Sequence, residues 1–188
     1  EHASPLDAMI CEKQRAAIMK LKSEVARLSN DALTGLSGRG VFDRALRTEF
    51  ARCRRFRRRL GIVMIDIDNF KAVNDQHGHL VGDAVLRSVA LIVKCQVRDC
   101  DTVARYGGDE CVVLVDSADE TGMNVLCERI RAAVARHSDQ SQYGVTVSIG
   151  FAYQWDTDVD GIAIVERADA ALYRAKAMGK NCICGGQL

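Results

Sequence analysis

The sequence lacks several features that would place it in an obvious class. Its net charge is only +1 at pH 7, so no overall field directs it to nucleic acid or to a membrane surface. It has no run of about 18 apolar residues to form a transmembrane helix and no signal-peptide pattern. The first residue is Glu rather than Met. We therefore expect a fragment of a longer protein, located in the cytoplasm or forming its cytoplasmic part.

The eight cysteines follow neither a disulfide pattern nor a zinc pattern. Most of them fall inside apolar helical or strand patterns, which is typical of small core or surface residues in a reducing cytosol. Cys182 and Cys184 are separated by one residue, and no histidine cluster completes a zinc site with them. The sequence therefore predicts neither a disulfide framework nor a zinc centre.

The remaining composition is that of an ordinary globular protein. The chain has 188 residues, of which 48% are hydrophobic and 27% charged, enough for one domain and an appendage. Apolar residues from Leu6 to Leu28 recur at alternating three- and four-residue spacings, which predicts a helix. That helix fits a dimerising coiled-coil stalk over residues 1–30 and a single amphipathic helix about equally well. Its end at a domain boundary favours the stalk.

Residues 31–188 alternate between strand and helix patterns. We expect helices over about 41–58, 83–97, 119–137 and 162–178, and strands over 60–67, 103–106, 111–115, 145–153 and 181–184. Residues 30–40 and 74–82 are polar and contain glycine, so we expect turns or loops there. From residue 60 the first six elements have the β-α-β-β-α-β order of a ferredoxin-like α/β fold. This order predicts a mainly antiparallel sheet flanked by helices, with the first strand and the hairpin at its centre.

Two pairs of carboxylates stand out in this arrangement. Asp109 and Glu110 follow two glycines in the hairpin turn, where glycine allows the positive φ that a tight turn needs. Asp66 and Asp68 end the first strand, and the sheet order brings that strand end to the hairpin. A solvated turn is the more common structure for such a hairpin. Converging carboxylates at neutral pH, however, need a proton or a cation, and oxygen-only ligands suit Mg²⁺.

These residues give the chain a resemblance to the diguanylate cyclases, which are named for a Gly-Gly-Asp/Glu-Glu-Phe signature. The signature corresponds to Gly107–Cys111, and the resemblance covers about residues 31–183. The other matching stretches are Asp31-Ala-Leu-Thr34-Gly35-Leu36, Asp66-Ile-Asp68-Asn-Phe70-Lys71-Ala-Val-Asn74-Asp75, Gly78-His79, Gly82-Asp83 and Ala175-Lys176-Ala-Met-Gly179-Lys180-Asn181. Two residues depart from the family pattern. Cys111 replaces Phe, and we expect it to pack rather than react. Gly38 replaces Asn, a mild change since both tolerate left-handed backbone.

The resemblance implies an enzyme, a nucleotidyltransferase that condenses two GTP into cyclic di-GMP and releases two pyrophosphates. Two protomers of a homodimer would share the site, each holding one GTP. Asp66, the carbonyl of Ile67, Asp109 and Glu110 would hold the divalent cations, two Mg²⁺ (or Mn²⁺) in each half-site. Asp109 would also accept the 3′-hydroxyl proton, so Asp109 and Glu110 are the expected catalytic residues.

The same resemblance implies a nucleotide site. Asn74 and Asp83 match the family's guanine-reading positions. The chemistry agrees, because a carboxylate can accept the N1–H and 2-amino donors of guanine together. The other implied substrate contacts are Phe70, Lys71, His79, Lys176 and Lys180. Taken without the resemblance, His79 is equally an exposed loop histidine, and lysines near a helix end are common without any ligand.

Arg98 and Asp101 match an Arg-x-x-Asp inhibitory site, at which cyclic di-GMP would hold the protomers apart. By itself this pattern more often marks a surface ion pair, and only its position just before the signature favours an inhibitory site. Part of the Arg52–Arg59 run offers a second contact. Three hypotheses therefore remain. The first is a product-inhibited cyclase whose N-terminal helix is controlled by an upstream sensor, absent from this chain. The others are a catalytically silent module that binds cyclic di-GMP, and a cyclase for another nucleotide.

Overall fold

A computed structural model describes residues 29–139 and 143–186, together with Glu12 and Arg15. The helix expected over residues 6–28, and with it the coiled-coil stalk, lies outside the described residues. Within the described part, the helices are too short or too polar to cross a membrane.

The described chain contains six strands and five helices. The strands are β1 (Ser37–Gly38), β2 (Gly61–Ile67), β3 (Thr102–Arg105), β4 (Glu110–Val115), β5 (Val147–Tyr153) and β6 (Ile183–Gly185). The helices are α1 (Arg39–Phe56), α2 (Phe70–His77), α3 (His79–Gln96), α4 (Glu120–Asp139) and α5 (Ile162–Ala177).

All six strands form one sheet in the order β1-β3-β4-β2-β5-β6. The inner strands β3, β4, β2 and β5 are antiparallel to one another, whereas the outer strands β1 and β6 pair in parallel with β3 and β5. The inner four have the predicted ferredoxin-like arrangement, with β2 and the hairpin strand β4 in the middle. The predicted fold class is confirmed.

Both faces of the sheet are covered by helices, which is why β2 is apolar almost throughout and all seven of its residues are buried. Val63 and Ile65 pack in the core beneath α3 and α4, whereas Ile62 and Met64 pack in the core beneath α1 and α5. The alternation follows from the two-residue period of a strand. The position that matters for function is the C-terminal end of β2, where this buried strand reaches the surface.

The loop predicted over residues 74–82 is wrong. Helix α2 continues to His77 and α3 begins at His79, so one residue, Gly78, separates the two helices. Gly78 has φ +83°, a conformation that glycine adopts without steric cost, and this single residue redirects the chain. The stretch is polar because most of its residues face solvent on these helices.

The break predicted over residues 30–40 is correct in outline but hides strand β1, which pairs in parallel with β3. Gly38 lies in this strand with φ −79° and ψ 163°. The tolerance of left-handed backbone that Gly and Asn share is therefore not used at Gly38. A Cβ added there would lie 3.1 Å from the carbonyl oxygen of Ser29, so any larger residue must be accommodated by a small shift at this contact.

Candidate active site

Asp66 and Glu110 face each other across the two central strands. They are register partners in the antiparallel β2–β4 pair, so their side chains leave the sheet on the same side. Asp109 immediately precedes Glu110, and its carbonyl accepts a hydrogen bond from the Ile67 N–H at 3.4 Å. The structure therefore places Asp66, Ile67, Asp109 and Glu110 next to one another in the chain or across the β2–β4 pair, at one end of the sheet.

Asp66 is the most buried of these carboxylates, at 7% exposure. Burial raises its pKa above the ordinary value, and the charges of Asp109 and Glu110 add to the rise. The ammonium of Lys176, 2.7 Å from Asp66 Oδ2, opposes the rise by stabilising the ionised form. A lysine from α5 thus supplies the positive charge that these acids require.

The two glycines of the signature turn act through space rather than through their backbone angles. Neither has a positive φ, so the expected left-handed turn is wrong. A Cβ on Gly107 would lie 2.5 Å from Glu110 Oε2, whereas a Cβ on Gly108 would meet nothing within 4 Å. The Glu110 side chain folds back over Gly107, so a residue with a Cβ there would displace the Glu110 carboxylate.

As the side chains stand, no three His, Cys, Asp or Glu residues of the described chain form a cation-binding group. Asp66 forms an ion pair with Lys176, and the Glu110 carboxylate is turned toward Gly107. The carboxylates are therefore neighbours whose oxygens do not point at one common position. Their donor set still fits a divalent cation, since the three carboxylates and the Ile67 carbonyl offer only oxygen, the ligand that Mg²⁺ prefers.

Asp68 does not join this group, although it ends the same strand. Its carboxylate accepts hydrogen bonds from Thr146 Oγ1 and Ser148 Oγ, both at 2.6 Å, and from the Asn181 N–H at 2.9 Å. At 4% exposure, it is a buried carboxylate whose charge is stabilised by hydrogen bonds. Asp68 therefore holds the start of β5 and the segment before β6 against the end of β2.

Arg105 is a residue that the sequence reasoning missed. Its Nη1 lies 3.2 and 3.0 Å from the two carboxylate oxygens of Asp31, and its Nε and Nη2 donate to the Gly108 carbonyl at 3.2 and 2.7 Å. Burial acts to raise the pKa of Asp31, but hydrogen bonds from Thr34 and Arg105 outweigh it and lower that pKa. The sequence offered one signal for this role: Arg105 stands just before the turn, and the backbone carbonyls of a turn need hydrogen-bond donors.

The proposed guanine readers lie on adjacent helices. A Cβ on Gly82 would overlap the Asn74 side chain, at 1.9 Å from Oδ1, and would lie 3.3 Å from Phe70 Cζ. Both side chains therefore pack on α3 at the position next to Asp83. Asn74 and Asp83 are half-buried, which suits groups that must present polar atoms to a ligand. The family's glycine before the aspartate has a steric reason here.

The lysines assigned to the triphosphate fall into two kinds. Lys176 and Lys180 both reach the C-terminal end of β2. Lys176 pairs with Asp66 inside the strand, and Lys180 Nζ donates to Asn69 Oδ1, just after it, at 2.6 Å. Helix α5 lies close to the sheet here, because Gly150 leaves no room for a Cβ against the Leu172 backbone. Lys71, like His79, is exposed on the helix surface.

Residues 28–182 match the family model described as "Diguanylate cyclase, GGDEF domain". The chain belongs to this family. It is 39% identical over 152 residues to diguanylate cyclase DgcS of Shewanella oneidensis, which is 81% of this chain and 51% of that protein. It is 45% identical over 126 residues to diguanylate cyclase A of Treponema denticola, which is 65% of this chain and 34% of that protein. The chain thus spans about half, or less, of these curated relatives.

Solved GGDEF structures have the same fold. The GGDEF domain of DgcB from Caulobacter crescentus, solved with c-di-GMP, superposes with a TM-score of 0.79 at 33% identity, covering 84% of this chain and 95% of that one. The coiled coil and GGDEF domain of the same protein give a TM-score of 0.81 at 29% identity, covering 97% and 100%. The predicted family membership is confirmed.

Cys111 shows how this GGDEF domain accommodates its departure from the signature. The side chain is 3% exposed and packs in the core beneath α3 and α4, opposite Ile65 in the β2–β4 register. Burial raises the pKa of the Cys111 thiol to about 12, so it stays protonated at neutral pH. The prediction that Cys111 packs rather than reacts is confirmed.

The Arg-x-x-Asp pair forms the turn after α3. The Arg98 N–H donates to Asp101 Oδ2 at 3.0 Å, and the Asp101 N–H donates to the Arg98 carbonyl at 3.0 Å. Asp101 is buried, whereas Arg98 is exposed. Among the ion pairs of the described residues, none joins their side chains. Asp101 therefore shapes the turn while the Arg98 guanidinium faces solvent.

Proposed function

We propose that this GGDEF domain is a diguanylate cyclase that condenses two GTP molecules into cyclic di-GMP and releases two pyrophosphates. The observation that carries the proposal is the pairing of Asp66 with Glu110 at the ends of the two central strands, beside Asp109 and beneath Lys176. Such an acidic cluster beside lysines suits a magnesium-bound triphosphate. Family membership supports the same reaction.

Asp66, Asp109, Glu110 and the Ile67 carbonyl would hold two Mg²⁺, or Mn²⁺, in each half-site. A bound divalent ion neutralises triphosphate charge and lowers the pKa of a hydroxyl near it. Lys176 would then exchange its ion pair with Asp66 for a contact with phosphate. The raised pKa of Asp66 supports this exchange, since a buried carboxylate with acidic neighbours gains from added positive charge.

In the reaction, the 3′-oxygen of one GTP bonds to the α-phosphorus of the GTP on the other protomer, and the bond from that phosphorus to pyrophosphate breaks. Asp109 accepts the proton of the 3′-hydroxyl. Lys176 and Lys180 hold the triphosphate, with Lys71 approaching from α2. A second, identical transfer closes the ring, so each protomer supplies half of the catalytic residues.

Asn74 and Asp83 would select guanine over adenine. The Asp83 carboxylate can accept hydrogen bonds from both the N1–H and the 2-amino group of guanine, whereas adenine would leave it unpaired. Sites of this kind discriminate against the wrong substrate by about 10⁴-fold. Phe70 lies beneath the guanine site, and His79 begins the helix beside it. The packing of Asn74 against Gly82, next to Asp83, supports this assignment.

Dimerisation and product inhibition complete the proposal. Residues 1–30 would form the stalk that pairs two protomers under the control of an upstream sensor, and the likeness to a coiled coil followed by a GGDEF domain supports this. Cyclic di-GMP would bind at Arg98 and Asp101. The exposed guanidinium of Arg98 supports an inhibitory role, because it is available to a phosphate or a guanine edge.

The decisive experiment mixes the purified chain with GTP and Mg²⁺ and measures pyrophosphate and cyclic di-GMP. We expect both products, at a rate that rises with the square of protein concentration while dimers are scarce. Asp109→Ala should abolish turnover, and Glu166→Ala, an exposed acid on α5, should not. Absence of product at high protein concentration would refute the proposal. Tight cyclic di-GMP binding without turnover would instead identify a silent binding module.

A further inference from the structure

Cys182 and Cys184 lie outside the proposed catalytic site, at the edge strand β6. Cys184 is the register partner of Gly150, and Gly150 faces α5, since a Cβ on it would overlap Leu172. Residues two apart in extended chain share a face. In agreement, the Cys182 thiol donates to the Ala175 carbonyl of α5 at 3.2 Å. Both thiols therefore lie on the α5 side of the sheet edge.

The two thiols lie two residues apart on one face of the sheet edge and are partly open to solvent. Burial, and then the neighbouring Cys184, raise the pKa of the Cys182 thiol. Both residues are half-buried. The guanidinium of Arg174 is held at the residue after Cys184, because its Nη2 donates to the Gly185 carbonyl at 2.8 Å, and the charge of Arg131 acts to lower the pKa of Cys182. The pair is an accessible dithiol with a fixed positive charge next to it.

Strand geometry does not favour a disulfide here. A disulfide needs its Cβ atoms about 3.5–4.5 Å apart, whereas residues two apart on a strand are spaced by roughly 6.6 Å. Closing one would pull Cys182 away from its backbone hydrogen bond with the Ile149 N–H, which is 3.0 Å long. A cation bound to both sulfurs at about 2.3 Å each holds them roughly 4.6 Å apart, which the side chains reach by leaning together.

The ligand set identifies the class of cation. Thiolates select soft cations such as Cu(I) and Zn²⁺, but a structural zinc site needs four ligands. No third His, Cys, Asp or Glu of the described residues completes a metal-binding group here. A monovalent copper ion, in contrast, accepts two thiolates in line. We propose that Cys182 and Cys184 form a two-thiolate site for a soft monovalent cation of the Cu(I) class.

Binding would release the two thiol protons and leave the oxidation state of the cation unchanged. Two thiolates and one monovalent cation carry a net charge of −1, which Arg174 opposes. The bound cation would also restrain Cys182, two residues after Lys180, and so restrain the segment that Asp68 holds through Asn181.

The test titrates the fully reduced chain, without oxygen, against Cu(I) held by a chromophoric chelator. We expect one equivalent to be withdrawn per chain, and X-ray absorption to show two sulfur ligands. Cys184→Ser should weaken binding by more than the roughly 10–100-fold caused by changes to outer partners of a metal site. Cys95→Ser removes an exposed cysteine elsewhere and should bind as the unchanged chain does.

Unchanged affinity in Cys184→Ser, an equal loss in Cys95→Ser, or three or more sulfur ligands would each overturn the proposal. Circular dichroism reports whether each variant is folded. If Cys184→Ser does not fold, Cys182→Ser replaces it and must show the loss of affinity expected for Cys184→Ser. None of these measurements uses GTP turnover, so the outcome is independent of the proposed cyclase activity.

Discussion

Replacing Arg105 with Gln tests whether the signature turn depends on its link to Asp31. The arginine makes two contacts with the Asp31 carboxylate and two with the Gly108 carbonyl. Hydrogen bonds to charged groups contribute about 1.5–3 kcal/mol each when buried, and exposed ion pairs contribute about 0–1 kcal/mol. The Arg105 and Asp31 side chains are 21% and 22% exposed, between these limits, so we expect a loss of about 2 kcal/mol.

For a domain of this size, about 1 kcal/mol corresponds to roughly 2–4 °C in Tm, so Arg105→Gln should lower Tm by about 4–8 °C. Turnover should fall at least about tenfold, which corresponds to about 1.4 kcal/mol of transition-state stabilisation. The reason is that Arg105 fixes the turn that carries Asp109 through its hydrogen bonds to the Gly108 carbonyl. Thermal unfolding followed by circular dichroism and a pyrophosphate-release assay measure the two effects.

The pH dependence of this effect has a definite sign. The pKa of Asp31 is lowered in the folded chain, so the stabilisation from its ionised form is present at neutral pH and is lost as the pH falls through that pKa. The difference in Tm between the native chain and Arg105→Gln should therefore shrink in acid.

Arg52→Gln is the matched control, since Arg52 forms an i,i+3 pair with Glu49 whose side chains are 52% and 25% exposed. We expect a change in Tm of no more than about 1–2 °C from it. If the Arg105 and Arg52 variants lose the same stability, and both retain full turnover, the assignment of Arg105 as a positioning residue is refuted.

Three further changes test other parts of the site. Gly107→Ala should lower turnover at least about tenfold, because its Cβ would lie 2.5 Å from Glu110 Oε2. Gly108→Ala is the control and should stay near native activity, since a Cβ there has open space around it. Equal losses of turnover in the two variants would contradict this. Gly82→Ala should raise the KM for GTP more than it lowers kcat, since it displaces Asn74, the proposed guanine reader. An effect on kcat alone would be inconsistent with that assignment. Asp66→Asn should abolish turnover yet raise the Tm of the metal-free protein at neutral pH. The reason is that an acid with a raised folded pKa loses stability as the pH rises through that value, and a lower Tm would contradict this.

The centre of the sheet was predictable from the sequence because β2, β4 and β5 have six or seven mostly apolar residues each. The order of strands and helices alone brought Asp66 to Asp109 and Glu110, and the register then made Asp66 and Glu110 direct partners. Helix boundaries failed at Gly78, since one glycine between two helices leaves no run of turn residues to detect. Chain polarity in that stretch reflects solvent contact rather than a loop.

The supporting contacts were not predictable, because they join residues far apart in sequence. Arg105 and Asp31 are 74 residues apart, and no local pattern of either marks the other. The glycines failed for another reason. Gly38 and Gly107 were interpreted through backbone angles, whereas in the structure each one leaves space for a neighbouring group, a requirement that only tertiary structure reveals.

The hydrogen bonds of Asp68 have a consequence for biosynthesis. Its carboxylate binds Thr146 and Ser148, 78 and 80 residues later, and the Asn181 N–H, 113 residues later. A chain emerging from the ribosome therefore carries the signature turn long before it carries the residues that secure the end of β2. Because Asn181 lies after all the proposed catalytic and nucleotide-binding residues in the sequence, the contacts of Asp68 are not complete until residue 181 has been synthesised.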